Sequence, residues 1–477
     1  MSGGIFAEAN RKWLTLAAVS VGLFMIMLDN TVVNVALPSI QRELESDLSE
    51  LEWIVTGYAL TFASLMLVGG KVADAYGRRR IFVLGIVVFT LASLLCGLAS
   101  SSEMLIGARV LQGAGAALMN PATLSIIAAT FPPRQRGTAI GIWAGVSALA
   151  LAIGPLVGGL ITEHLHWSWI FFVNVPVGVV GIAASFLFID ESRDETHASL
   201  DIPGLTTSAV GLFALTYGLI EANTYGWTSA RIVGAFVLSA VLLVSFVVIE
   251  RRRREPMLPL ELFRSGTYTG ANLVILLVAL AMFGVFFFVS LYMQNVLGYS
   301  AVETGAAFLP LTVLIILVAP VAGRLSDRIG SRGLMTAGML LVALHLTMFS
   351  RLSADATFWD LLPAFLVGGV GMALTFTPSA AAATRSVPVD KAGVGAAVLN
   401  SARQVGGTMG IAIMGAIVAH AAGGEVSVDA FMRGFERALL VAAGIAVLGA
   451  VVAFTLVRPH EGAGERHPGE TAPEPVT

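Results

Sequence analysis

The sequence predicts an all-α polytopic membrane protein with 14 transmembrane helices, arranged as six, two and six. Three observations carry this. The 477 residues are 56% hydrophobic and only 12% charged, where an average soluble domain is about 25% charged. Apolar stretches of membrane-spanning length, about 20 residues each, recur fourteen times. A short loop element occurs twice, in equivalent places of the first and last six helices.

The spans can be placed in order between polar breaks. The first runs near 13–36 and holds a single acid, Asp29. Five more lie near 52–72, 80–99, 104–127, 138–162 and 168–189. Two follow near 202–221 and 231–249, before the basic block Arg251 to Arg254. The last six lie near 270–293, 304–322, 333–350, 358–381, 392–420 and 436–457. This divides the chain into an N-terminal six-helix bundle (1–190), two inserted helices with a cytoplasmic linker (191–265), a C-terminal six-helix bundle (266–458) and a disordered cytoplasmic tail (459–477), rich in Pro, Gly and Glu. The first apolar run is too long for a signal peptide and has no small-x-small cleavage site, so it is expected to remain as a helix.

Lys and Arg set the orientation. With the N-terminus in the cytoplasm, 21 basic residues fall on the cytoplasmic side and 5 on the other, while Arg109 and Arg403 fall inside spans. Both termini are therefore expected in the cytoplasm. The acidic stretch Asp190 to His197 also falls on that side, but acids weigh little in the rule.

Composition excludes other classes. The 31 acids and 28 bases leave a formal net charge of −3, which argues against nucleic-acid binding. The single cysteine, Cys96, excludes an internal disulfide and a Cys-cluster metal site. No metal-ligand spacing and no nucleophile–base cluster is visible, so neither an enzyme nor a metal centre is expected. Lys71 is the only lysine preceded by glycine, and Val72 follows it, so there is no P-loop and no ATP-driven cycle.

The repeated element reads Gly70-Lys-Val-Ala-Asp74-Ala-Tyr-Gly77-Arg78-Arg79-Arg80 after the second span, and Gly323-Arg324-Leu-Ser-Asp327-Arg328-Ile-Gly330-Ser-Arg332 after the tenth. Glycines allow a tight reversal. An Asp at a helix start accepts backbone N–H groups, and arginines can hold it, or a helix end of the other half, in one state. Two related halves with this element in equivalent positions mark a secondary transporter, with substrate bound near the midplane.

Few polar residues lie inside the spans, and these are the site candidates. An ionised carboxylate at the bilayer centre costs about 2.5–3.5 kcal/mol, so Asp29 is expected to be neutralised by a proton or a cation. Arg109 could approach Asp29 or organise a hydrogen-bond network with Gln112. Arg403 is too deep in its span to snorkel easily, and no acid partner is evident. Gly154-Pro155 removes a backbone donor, and Gly158 and Gly159 permit close helix contact; a hinge and a tight seal both fit. In the ninth span, Met282, Phe283, Phe286, Phe287, Phe288 and Met293 suit either an adaptable pocket or a lipid-facing surface. Trp53, Trp167, Trp169, Trp227 and Trp359 suit interface anchors, and His345 a structural role.

These motifs, in their order and spacing, resemble the major facilitator superfamily. More narrowly, nearly the whole chain resembles its fourteen-helix drug:proton antiporter family. Leu28-Asp29-Asn-Thr31-Val-Val-Asn34-Val-Ala36-Leu37-Pro38 is similar to the first-helix signature, and Gly70 to Arg80 to the hallmark loop. Arg109-Val-Leu-Gln112-Gly113 resembles the fourth-helix motif, whose Arg is associated with proton coupling. Gly154-Pro155-Leu-Val-Gly158-Gly159 resembles the fifth-helix antiporter motif. Trp167 to Gly178, Asp201-Ile-Pro-Gly204 and Asn400-Ser-Ala-Arg403-Gln404-Val-Gly406-Gly407 resemble further stretches of the family. Two departures stand out. Ala75 replaces the usual basic residue after the hallmark Asp, and the later spans lack a clear mid-span acid, which argues against a strong preference for dications.

The resemblance implies the major facilitator fold and proton-driven efflux of lipophilic drugs or toxic compounds across the bacterial cytoplasmic membrane, by a monomer without cofactors. Protons and membrane lipids are the other expected partners. Asp29 and Arg109 would couple the proton; Gly70, Asp74, Gly77, Arg78, Arg79, Asp327 and Arg328 would form the gating loops. Asn34, Gln112, Asn174, Phe283, Phe287, Asn400, Arg403 and Gln404 are the substrate-cavity candidates. A dedicated exporter of a self-made natural product or a lipid is the alternative, and an uptake symporter a more distant one.

Overall fold

The computed structural model describes residues 8–193, 201–253, 256, 258, 260–387, 392–423 and 427–458; the tail 459–477 lies outside them. Among the described residues the long elements are all helical: α1 (Glu8–Leu44), α2 (Leu48–Tyr76), α3 (Arg78–Gly97), α4 (Ser102–Thr130), α5 (Pro133–His164), α6 (Trp169–Phe188), α7 (Ile202–Tyr225), α8 (Ala230–Arg252), α9 (Gly266–Val296), α10 (Ala301–Ile329), α11 (Ser331–Phe349), α12 (Phe358–Arg385), α13 (Ala392–Ala422) and α14 (Val428–Leu456). Twelve are long and apolar enough to cross a membrane, thirteen when bent α2 counts as one span. The chain is thus a multi-pass membrane protein.

Helix starts follow local chemistry. Asp47, Ser101, Asp201, Ser229, Ser265, Ser300 and Ser427 each accept a backbone N–H of the first turn, at α2, α4, α7, α8, α9, α10 and α14, replacing water for otherwise orphaned donors.

The pairwise packing of α1 to α6 recurs in α9 to α14. Contacts α1–α4, α1–α5, α1–α6, α2–α4, α3–α4 and α3–α6 have counterparts α9–α12, α9–α13, α9–α14, α10–α12, α11–α12 and α11–α14. Even the glycine contacts match: Gly85 lies against Gly115 between α3 and α4, and Gly338 against Gly371 between α11 and α12. Such small-residue contacts let helices approach closely where lipid offers no hydrophobic drive.

The start of α1 lies beside the start of α5 and the end of α6: Lys12 Nζ donates to Gln135 Oε1 at 2.7 Å and Thr15 Oγ1 to the Phe188 carbonyl at 2.6 Å. At α9, the Arg458 N–H after α14 donates to Thr267 Oγ1 at 3.2 Å, and Tyr268 Oη to the Gly395 carbonyl of α13, also at 3.2 Å. Lys71 Nζ of α2 donates at 3.3 Å to the carbonyl of Pro256, in the linker between α8 and α9. This side is called the terminal face.

At the opposite face the two sets of helices share one core. Val33, Leu37 and Ile40 of α1, Leu51 and Ile54 of α2 and Phe171 of α6 belong to the same buried cluster as Phe287, Phe308 and Phe435. Toward the terminal face, Leu16, Val19, Met66, Phe82 and Ile127 form a separate core. The halves meet along two seams, α2–α13 and α5–α10. Helix α7 covers the first, with α8 packed behind it. Ser49 Oγ and Trp53 Nε1 of α2 donate to Glu221 at 3.0 and 3.1 Å, and Asn223 Nδ2 donates to the Ala416 carbonyl of α13 at 2.9 Å.

Three expectations need correction. Asp74 and Asp327 do not start helices; both lie in the last turn of one. Trp167 is no exposed anchor: it is buried, with Nε1 donating to Glu43 at 2.9 Å, because the chain turns inward before α6. The aromatic–Met group of α9 faces neither lipid nor an open pocket for the most part: Met282, Phe287, Phe288 and Met293 are buried core residues.

Candidate functional site

Asp29 and Arg109 lie 80 positions apart and meet in the interior. Arg109 Nη1 donates to Asp29 Oδ2 at 2.5 Å, with both side chains essentially inaccessible. Helix α4 positions Arg109 six residues beyond Glu103, on a face that is otherwise Ala108, Gln112 and Gly113. The same guanidinium donates from Nε to the Ile54 carbonyl at 3.0 Å and from Nη1 to Gln112 Oε1 at 2.5 Å. Its carbon centre sits 4.2 Å from the Tyr58 ring centroid and 5.7 Å from that of Phe171, distances suited to cation–π attraction.

Gln112 completes the cluster. Its Nε2 donates to Asp29 Oδ1 and to Ser93 Oγ, both at 2.9 Å. Placed among the cavity candidates, Gln112 is instead a fully buried bridge that holds the second carboxylate oxygen. A buried ion pair persists only when such hydrogen bonds satisfy the remaining lone pairs, and here both Asp29 oxygens are used. Arg109 does not snorkel.

From this cluster a line of contacts reaches the α5–α10 seam. Gly154 packs against Thr31, and Gly158 against the backbone of Val32, two and three residues beyond Asp29. Gly159 packs against the Ala301 backbone, and Gly305 against that of Pro155. In this conformation the Gly154–Gly159 element is a tight contact. Nearby, Val302 N–H donates to Glu163 at 2.8 Å and Gln294 Nε2 to the Val35 carbonyl at 2.8 Å.

The other seam contains a residue the sequence reading missed. Glu52, buried on α2, presses its carboxyl against Gly415 of α13. Glu52 follows the capping acids Asp47 and Glu50 so closely that it reads as one more helix-start acid. An acid at a predicted span boundary was the available signal.

The repeated loops share one geometry. Gly77 (φ 112°) and Gly330 (φ 85°) each end one helix and open the next, in backbone space that L side chains rarely adopt. Asp74 pairs with Arg78 at 2.8 Å; Asp327 pairs with Arg385, at the end of α12, at 2.7 Å. Arg385 also donates to Ser326 and Ser331 at 3.0 and 2.7 Å. The acid that caps α3 is Glu191, which accepts from the N–H groups of Arg79 and Arg80 at 3.1 and 3.3 Å. Arg11 pairs with Asp190 at 2.5 Å. The acidic stretch after α6 therefore shares a face with the first basic loop. Gly70 packs against Pro121 of α4.

The remaining cavity candidates divide. Phe287 is wholly buried in the C-terminal core and Asn174 is buried in the N-terminal half, with its amide nitrogen unpartnered among the described residues. Asn34, Asn400 and Arg403 are half-buried, and Phe283 lies against Gly407. Gln404 is buried with its Nε2 unpartnered among the described residues. His345, buried on α11, contacts the Ala364 carbonyl at 2.6 Å and serves packing.

Known proteins match this architecture. A solved peptide transporter described as an auto-inhibited POT family member aligns over 97% of this chain and 99% of its own at TM-score 0.68 with 16% identity. A bacterial homologue of the lysosomal transporter Spinster, inward-facing and unoccupied, aligns over 94% and 97% at TM-score 0.65 with 17% identity. At sequence level the chain is 39% identical to the puromycin resistance protein of Streptomyces alboniger, over 94% of this chain and 92% of that one. It is 37% identical to the tetracenomycin C resistance and export protein of Streptomyces glaucescens, over 87% and 77%. It is also 37% identical to the multidrug resistance protein Stp of Mycobacterium tuberculosis, over 85% and 76%. The model of the Major Facilitator Superfamily matches residues 19–411. The chain belongs to the major facilitator superfamily, a transporter and not an enzyme, among that superfamily's drug and antibiotic resistance exporters.

Proposed function

We propose that the chain is a fourteen-span, proton-driven antiporter that exports lipophilic compounds across the bacterial cytoplasmic membrane. Helix α5 is its further span, and α7 and α8 are inserted between two six-helix bundles. The terminal face is cytoplasmic, in accord with the 21-to-5 bias of basic residues. The halves then meet on the extracellular side, and the described conformation faces inward.

The observation that carries the reading is the buried Asp29–Arg109–Gln112 cluster beside the α1–α5 glycine contacts. A proton on Asp29 cancels the carboxylate that Arg109 holds. Arg109 keeps the Ile54 carbonyl, Gln112 Oε1 and the Tyr58 ring, so its charge stays solvated by fixed dipoles. The pull on α1 is lost at Asp29, two residues from Thr31 and three from Val32, where α5 packs. A proton from outside thus favours one packing of the α5–α10 seam and substrate binding from inside the other. Each ligand shifts the equilibrium only by its difference in affinity for the two states.

The test is efflux from proteoliposomes under an imposed pH gradient, with puromycin and lipophilic dyes as cargo. Asp29→Asn should abolish gradient-driven efflux in folded protein; undiminished efflux would remove Asp29 from coupling. A second reading, export of one self-made compound, draws on the relatives whose names carry a single antibiotic. A narrow cargo range in the same assay would select it.

A further inference from the structure

Arg403 is a cation without a counter-charge. It sits midway along α13, half-buried, on the same helix face as Gly407 and Gly410, which pack against α9. No acid and no hydrogen-bond acceptor reaches it among the described residues, and its Nε is buried and unpartnered. Arg109, the other arginine inside the spans, has an acid, a carbonyl, an amide and two aromatic rings around it. A buried charge is costly unless paired. The contrast separates a satisfied arginine from one kept open.

The surroundings fit a ligand. Gln404 Nε2 and Ser401 Oγ, beside Arg403 in the chain, are also buried and unpartnered. One turn on, Gly407 admits the half-buried Phe283 ring against the backbone of α13. Arg403 offers a positive fork and Gln404, next in the chain, an amide donor; Phe283, against Gly407 one turn on, offers an aromatic wall, while Ser401 lies on the other side of α13. A guanidinium matches a planar oxyanion bidentately.

We propose that Arg403 is the anion-binding subsite of the cavity, and that preferred cargo carries a carboxylate, phenolate or enolate on a flat apolar body. This rests on the transporter reading and narrows its substrate class. The oxyanion accepts two N–H bonds from Arg403, Gln404 supplies a third, and the apolar body lies toward Phe283.

Three probes with one ring system decide it: 1-pyrenebutyrate, 1-pyrenebutanol and 1-pyrenebutyl-trimethylammonium. Their binding to the purified full chain in nanodiscs is read by pyrene fluorescence at neutral pH. The carboxylate should bind at least about tenfold tighter than the alcohol, the scale of one hydrogen bond to a charged group, and the ammonium weakest. Arg403→Gln should erase the carboxylate's advantage and leave the alcohol unchanged, while Arg403→Lys should keep part of it. Equal binding of the three probes by the unmodified chain, or preference for the ammonium, overturns the proposal. So does an Arg403→Gln variant that weakens all three alike. If Arg403→Gln does not fold, the probe comparison on the unmodified chain decides alone. Gradient-driven efflux of the three probes from proteoliposomes is scored separately. Its presence without carboxylate preference removes only the anion subsite; the absence of gradient-driven efflux for all three probes removes the proton-driven reading and leaves the binding result standing.

Discussion

The carboxyl of Glu52 rests directly against Gly415, so α2 and α13 touch across the seam with no space for a side chain between them. A Cβ at position 415 would collide with that carboxyl. Gly415→Ala should therefore bias the protein away from the described conformation. The measurement is thiol labelling of single cysteines on the two faces: labelling should rise severalfold at the face opposite the termini and fall at the terminal face. Glu52→Ala in the same background should restore the original pattern.

The α5–α10 seam makes a matching prediction. Gly159 and Gly305 each face the partner helix's backbone, which cannot swing aside as a side chain can. Gly159→Val and Gly305→Val should cut gradient-driven efflux to background while leaving expression and monodispersity intact. The same replacement at Gly145 or Gly444, which have open space around them, should be tolerated.

Asp29 and Arg109 should be coupled energetically. Removing one partner of a buried pair costs about 3–5 kcal/mol because it strands the other charge. Asp29→Asn and Arg109→Gln should each lower thermal stability, and the double variant should recover part of the loss. The double-mutant cycle should give an interaction term of about 1–3 kcal/mol. Additive losses would show that Gln112 and Tyr58 satisfy each residue independently.

Glu191 caps α3 from outside that helix. Glu191→Gln keeps the size but removes the charge at the N-terminal end of α3, and Glu191→Ala removes the acceptor altogether. The second should cost about 0.5–2 kcal/mol and the first less, read as melting temperature. Faster backbone hydrogen exchange should be confined to the first turn of α3.

What could be read in advance depended on how rare a signal was. Asp29 and Arg109 stand out because charge inside a span is scarce, so their pairing was foreseeable across 80 positions. Phe287 was not placeable: α9 is apolar on every side, and a helix hydrophobic all round has no face that periodicity can orient. The Arg109–Gln112 hydrogen bond was legible too, from a spacing of three residues on one helix, whereas the bond from Gln112 to the second Asp29 oxygen was not, because it joins two different helices. Glu191 was hidden by the positive-inside rule, which gives acids little weight and so says nothing of one that closes a basic loop. Glu52 was hidden by its capping neighbours. Charge inside apolar sequence was legible; charge next to charge needed coordinates.

Two seams join the halves, and the internal repeat makes them equivalents of each other. Helix α7 lies over only one, gripping α2 through Glu221 and α13 through Asn223. The twofold relation is thereby broken where the protein meets the bilayer. A lipid acyl chain or a membrane-dissolved molecule can approach the α5–α10 side directly, but meets a fixed palisade on the other. Photoreactive lipid analogues should mark residues along α5 and α10 and leave the buried α2–α13 contact unmodified. The extra pair of helices thus shields one seam of an otherwise symmetric scaffold and, among the described residues, leaves its counterpart bare of any further helix.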